Sequence, residues 1–166
     1  IVASLVGSEM CIRDRSDGVV AEKTVDANDQ HYEVPPEFFK KVLGKRLKYS
    51  CSLFNGQTTL DEAEDNMLDL YIERANILNG QEILDLGCGW GSFSLYAAAK
   101  FPGSNITSVS NSFDQINFIN KEAEKRNLKN IKAIKMDVNN LNLDNHFDRI
   151  ISIEMFEHLR NYKSIL

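Results

Sequence analysis

One stretch constrains this chain more than any other: Ile83-Leu84-Asp85-Leu86-Gly87-Cys88-Gly89-Trp90-Gly91. An apolar run carrying an acid meets a loop with glycine at every second position. Behind it, Ser92 to Lys100 is rich in Ala and Leu and reads as a helix. Strand, tight glycine turn and helix form the approach to a nucleotide-type site in an open α/β sheet. Glycines there let backbone come close to a ligand that side chains would exclude. The spacing separates two cofactor classes. The dinucleotide fingerprint G-x-G-x-x-G requires Gly or Ala at position 92, where this chain has Ser92, and the third glycine comes one residue early. Asp85 would repel a pyrophosphate and suits a cationic ligand bearing an amino acid. S-adenosylmethionine has an ammonium, a sulfonium and no phosphate. On the loop alone, a plain strand-to-helix turn stays open as an alternative.

The rest of the chain supplies the context for that loop. A short helix opens at Pro36 or Glu37, runs through Phe38, Phe39, Val42 and Leu43, and ends at Gly44. Leu47 to Phe54, with Tyr49-Ser50-Cys51, reads as an extended segment or loop. Thr59 to Glu62 is a capping box. Its helix is expected to turn Ala63, Met67, Leu70, Tyr71, Arg74 and Ile77 to one side and to stop at Asn79-Gly80. Further strands are predicted over Ile106–Ser110, Ile131–Met136 and Arg149–Ile153. A second capping box at Ser112 to Gln115 starts a helix reaching about Arg126, and another helix begins near Phe156. Strands alternating with helices imply a parallel sheet whose ligands lie at its carboxyl edge. Four strand ends would deliver Asp85 with the glycines, Ser110-Asn111, Asp137, and Glu154, Glu157 and His158.

Composition sets limits. The 166 residues suffice for one domain, and 24 Asp+Glu against 19 Lys+Arg give no broad electrostatic case for nucleic acid. Lys40, Lys41, Lys45, Arg46 and Lys48 form a local basic cluster, read as a solvated face unless the substrate is an anionic lipid surface. Cys11, Cys51 and Cys88 make neither a disulfide framework nor a zinc pattern, which points to a reducing, cytoplasmic setting. No apolar run approaches the ~20 residues of a membrane span. Residues 1–15 resemble translated sequencing-adaptor read-through, and 16–30 read as linker. Residues 31–79 read as an N-terminal helical cap segment, and 80–166 as a parallel sheet of four strands. Both ends read as cuts, so the isolated chain is expected to be marginally stable and inactive, with an exposed sheet edge and an uncovered apolar face.

Several motifs then agree with one family. HYEVPPEFF (31–39), LKYSCSLF (47–54), ILDLGCGWGS (83–92), SNSFDQ (110–115) and FDRIISIEMFEHLRNY (147–162) resemble the cyclopropane-fatty-acid synthase group of S-adenosylmethionine-dependent methyltransferases. They resemble equally the related coclaurine N-methyltransferases. The resemblance implies a Rossmann-like class I methyltransferase fold of seven strands, of which 80–166 would be the first half, cut after the fourth strand. It implies that Tyr49 and Ser50 close over the cofactor, and that Asp85, Gly87, Gly89 and Gly91 hold its methionine portion. Ser110 and Gln115 would flank the ribose, and Asp137 and Val138 the adenine. Glu154, Glu157 and His158 match the active-site cluster of the N-methyltransferases. In the synthases the positions of Cys51 and Glu157 belong to a bicarbonate site. The synthases commonly have Gly where this chain has Glu154, which leans toward the amine side.

Each assignment has a plainer competitor. Gln115 could serve only its capping box. Cys51 could be a small buried residue, Cys88 and Trp90 packing groups, and Tyr49 core. His31 reads as a turn hydrogen-bonder, Phe38 and Phe39 as core before an acceptor pocket, and Asp137 as a turn cap. Glu157 and His158 have the weakest competitor, since ionisable groups in a sheet-end turn are costly unless paired or used. The expected function is methyl or methylene transfer to an unsaturated acyl lipid, with peripheral membrane contact. The alternatives are N-methylation of a small amine, and a non-catalytic cofactor-binding module. No metal and no nucleic acid are expected.

Overall fold

The apolar strands flanking the glycine loop assemble around it. A computed structural model describes residues 18–22, 36–143 and 146–165. Its parallel strands are β1 (Glu82–Leu86), β2 (Asn105–Ser110), β3 (Ile131–Lys135) and β4 (Arg149–Ile151), in the order β3-β2-β1-β4. Helix α1 (Pro36–Val42) and helix α2 (Leu60–Arg74) precede the sheet. Helix α3 (Ser92–Lys100) joins β1 to β2, and α4 (Phe113–Lys125) joins β2 to β3. The chain therefore steps outward from β1 and returns to its far side with β4. That reversal is where ligands bind in sheets of this class.

Alternation along the strands fixes the two faces. Ile83 and Ile106 turn toward α2 and α3, burying with Leu68, Ile72, Phe93, Ala97 and Ile151. Full burial of each large side chain contributes about 1.5–3 kcal/mol. Asp85 and Ser108, two residues further along their strands, share that face. Leu84, Leu86 and Val109 lie on the other, where Met136, Leu141, Leu143 and Phe147 cover them. The expected uncovered apolar face is thus filled at its centre by the segment after β3. Ile150 on edge strand β4 stays 63% exposed.

Several expectations needed correction. The buried residues of α2 are Ala63, Glu64, Leu68 and Ile72, not the stripe through Met67, Leu70 and Arg74. The true stripe, 64-68-72, is masked in the sequence because its first member is an acid. Glu64 is buried because its carboxylate accepts the backbone N–H of Gly44 (3.0 Å), Arg46 (2.7 Å) and Lys48 (3.3 Å). Helix α2 stops at Arg74, with Asn76 at φ 48°, before Asn79-Gly80 is reached. Strand β4 ends at Ile151, and the segment from Phe156 forms two 3-10 turns, Phe156–His158 and Tyr162–Ser164, in place of a helix.

Residues 18–22 do not behave as linker. The Ala21 N–H donates to Asn139 Oδ1 (2.9 Å), and the Val20 carbonyl accepts from Arg160 N (2.7 Å). Val20 and Ala21 are buried against Leu159. The readings of residues 1–15, of Cys11, of the rest of 16–30 and of His31 lie outside the described residues. Among those residues, no helix is long and apolar enough to cross a membrane.

Candidate active site

A cavity of about 310 Å³ opens at the carboxyl ends of the strands. Tyr49, Ser50, Asp85, Gly87, Gly89, Ser110, Gln115, Val138, Glu154, Glu157 and His158 line it, so most of the expected site residues converge. Gly91, Asp137 and Cys51 are not on its wall.

The three glycines divide by what a side chain would meet. At Gly87 (φ 81°) an added Cβ would fall 2.7 Å from Met155 Cγ, and at Gly91 (φ 76°) 2.6 Å from Ile119 Cγ1. Gly89 (φ 52°) faces nothing within 4 Å. Gly87 and Gly91 are therefore required by close packing, and Gly89 leaves open space beside the cavity.

Asp85 is buried below the loop. Its Oδ2 accepts from Ser94 Oγ at 2.5 Å, and Ser94 Oγ accepts from Ser108 Oγ at 2.7 Å. Burial lifts the Asp85 carboxyl to about 7, with the Ser94 hydrogen bonds pulling the other way. A carboxylate held by hydroxyls and facing a cavity can take a cationic group as counter-charge.

Two buried donors stand without partners on the cavity wall: Gln115 Nε2 and Trp90 Nε1. Each such group is unfavourable by about 1–3 kcal/mol, and an acceptor atom on a bound molecule would remove that penalty. The second capping box is only half formed. Ser112 Oγ accepts the Gln115 N–H (3.4 Å), but Gln115 Oε1 turns to Ser110 Oγ (2.6 Å). The Ser112 N–H goes to Ser110 Oγ (3.1 Å), so the Gln115 side chain serves the cavity wall and not the cap. Trp90 is wedged between Phe39 (5.1 Å) and Phe118 (5.5 Å). Asp137 caps the Val138–Asn140 turn by accepting the Asn139 N–H (2.8 Å), while Val138 reaches the cavity.

Acids also line the cavity. Glu154 is exposed, at φ 50°. Its Oε1 accepts the Cys51 N–H at 2.8 Å. Burial works to raise its pKa, but the Cys51 hydrogen bonds and the Lys48 charge outweigh that and hold it below the usual carboxylate range. Glu157 and His158 are exposed in their 3-10 turn, so the argument from costly burial does not apply to them. Tyr49 is 59% exposed and Cys51 is exposed, which removes the core reading for both. Cys51 Sγ lies 3.9 Å from the Tyr71 hydroxyl, and of the pair implied for bicarbonate only Glu157 lines the cavity. Phe39 is core as expected, while Phe38 is 51% exposed.

The basic cluster is not a uniform solvated face. Lys45 and Arg46 pair with Asp65, Lys40 with Glu37, and Lys48 is buried. Lys48 is one of three features that sequence reasoning missed. The others are the Trp90 indole as a free donor and the Ala21–Glu22 segment on the cavity wall. A lysine two residues before Ser50, outside any helix, was a signal for the first. Nothing local marks the last.

Known proteins resemble the chain in sequence and in fold. The (S)-coclaurine N-methyltransferase of Thalictrum flavum subsp. glaucum is 43% identical over 99% of this chain and 45% of its own length. The cyclopropane-fatty-acyl-phospholipid synthase of Escherichia coli (strain K12) is 30% identical over 80% of this chain and 34% of its own. A crystal structure of coclaurine N-methyltransferase bound to N-methylheliamine and SAH superposes with a TM-score of 0.92, at 40% identity, over 95% of this chain and 46% of that one. The sheet is accordingly a Rossmann-like class I methyltransferase fold. The chain spans less than half the length of the curated relatives it matches. The mycolic acid cyclopropane synthetase model matches residues 20–164, and the chain belongs to that family of S-adenosylmethionine-dependent methyltransferases.

Proposed function

We propose that this chain forms the donor-binding part, and one wall of the acceptor site, of an S-adenosylmethionine-dependent methyltransferase acting on a small-molecule amine. The observation that carries the amine reading is Glu154, a carboxylate on the cavity wall held by the Cys51 N–H at 2.8 Å. A fixed anion favours a ligand with an amine or ammonium and disfavours a bare acyl chain. The relatives weigh the same way: proteins named as alkaloid N-methyltransferases are 41–43% identical, and the acyl-phospholipid synthase 30%.

S-adenosylmethionine supplies a methyl group activated on a sulfonium. Gly89 leaves room for the cofactor beside the loop, and Asp85 opposes its positive charge. Gln115 Nε2 and Trp90 Nε1 offer donors to its acceptor atoms. Tyr49 and Ser50 cover it from the segment before α2. Methyl transfer is an in-line displacement, so the protein's task is to align donor and acceptor and keep water out. Glu154, Glu157 and His158 supply the base that keeps the amine unprotonated or takes its proton.

Calorimetry tests the reading in two steps on the protein carrying this chain. SAH should bind alone, and a coclaurine-type amine should then bind the SAH complex more tightly than an unsaturated acyl lipid does. Tighter binding of the lipid would overturn the amine reading, and failure of SAH to bind would overturn the donor reading.

A further inference from the structure

Lys48 is 2% exposed, and its ammonium donates to neutral oxygens: Ser50 Oγ, the Cys51 carbonyl (2.5 Å) and the Tyr71 hydroxyl (3.3 Å). It also lies over the Tyr71 ring, 4.9 Å from the centroid. Burying an ammonium is unfavourable, and a surface lysine could snorkel out of such a place. This one is held. Its own backbone N–H is fixed by Glu64 on α2, and Leu47 before it sits at φ 52° with its side chain buried against Phe39 and Trp90. A non-glycine residue in the left-handed region persists only where its surroundings over-determine it. Glu154, at φ 50°, is a second such residue, and Cys51 joins the two places. The Cys51 carbonyl accepts from Lys48 while its N–H donates to Glu154.

We propose that Lys48 is a positioning residue. Through the Cys51 backbone it fixes the Glu154 carboxylate, and through Ser50 it fixes the segment beside the donor, so that the two halves of the site are set together. The inference rests on the amine-methyltransferase reading above. Burial lowers the Lys48 pKa, with Cys51, Glu154 and Glu64 opposing that shift, so the ammonium belongs electrostatically to the same cluster.

A double-mutant cycle on the protein carrying this chain provides the test, with kcat for amine methylation as the readout. Lys48→Met keeps the apolar stem and removes the ammonium, and should lower kcat about tenfold or more. Combined with Glu154→Gln, it should add less than about threefold to the loss from Glu154→Gln alone, because both act through one carboxylate. Losses that multiply would overturn the inference while leaving the methyltransferase reading intact. Absence of methylation by the unmutated protein would overturn both. Should Lys48→Met fail to fold, Tyr71→Phe removes one of the oxygens that hold the ammonium. It should show a smaller loss with the same lack of additivity, and multiplying losses there would count equally against the inference.

Discussion

The Cys51 N–H donates to Glu154 Oε1 at 2.8 Å, joining residues 103 positions apart. One lies in the segment between α1 and α2, and the other just beyond the central crevice of the sheet. Their contact closes the segment against the strand ends and gives the carboxylate a fixed place on the cavity wall.

Glu154→Ala should therefore impair the acceptor side selectively. Amine methylation should fall by about 10²-fold or more, the usual range for losing a positioned acid–base group. SAH affinity should change by less than about threefold, since Glu154 is tied to the Cys51 N–H and Gln115 to Ser110 Oγ, with no shared partner. Steady-state kinetics and calorimetry check the two halves.

Asp85 makes both folding and donor binding depend on pH. Its carboxyl is raised from 3.8 in the unfolded chain to about 7 in the fold by burial. The folded protein thus keeps a proton that the unfolded chain gives up. The stabilisation is complete below 3.8 and is lost as pH rises through about 7. The full swing is on the order of 4 kcal/mol. Asp85→Asn should flatten the pH dependence of urea midpoints between pH 4 and about 8. A cationic donor should also expel the proton. Calorimetry at pH 6, in two buffers of different ionisation enthalpy, should then show proton release on binding of S-adenosylmethionine in the parent and none in the variant.

Gln115→Leu removes an unpartnered buried donor but also leaves Ser110 Oγ without its Gln115 acceptor. These effects offset, so the ligand-free midpoint should shift by less than about 1 kcal/mol. SAH binding should weaken about tenfold or more, since the bound molecule loses a hydrogen bond in a dry site.

Two glycine substitutions should separate packing from ligand access. Gly87→Ala should destabilise the fold, because its Cβ would meet Met155 Cγ at 2.7 Å and φ is 81°. Gly89→Ala, whose Cβ meets nothing within 4 Å, should carry only the backbone strain of φ 52°, destabilise less than Gly87→Ala, and weaken SAH binding, because its methyl enters open space beside the cavity. The reverse pattern in melting and binding curves would mean that the ligand lies elsewhere.

The fold and the glycine-loop side of the cavity were largely legible in the sequence because their signals are local. Strand, glycine turn and capped helix are each written within a few residues, and Thr59–Glu62 forms the capping box its pattern promises. What was hidden depends on where side chains turn in the folded chain, which no pattern of residue types announces. Glu64 reads as a polar break in α2, yet it is buried because three N–H groups arrive from the 44–48 segment. Lys48 reads as one charge among five, yet its oxygens come from Ser50, Cys51 and Tyr71. The Gln115 pattern fits a capping box, and only the position of Ser110 shows where its side chain goes. The lipid expectation followed from the wider family resemblance, whereas Glu154, already the odd residue in that comparison, pointed to the amine.

The most direct measurement follows the methyl group itself. The protein carrying this chain would be incubated with methyl-labelled S-adenosylmethionine, offered a coclaurine-type secondary amine and phospholipid vesicles with unsaturated acyl chains in the same reaction, and the products resolved by mass. Label is expected on the amine nitrogen and none in the acyl chains. Label in the acyl chains, or in neither acceptor, would contradict the amine-methyltransferase reading.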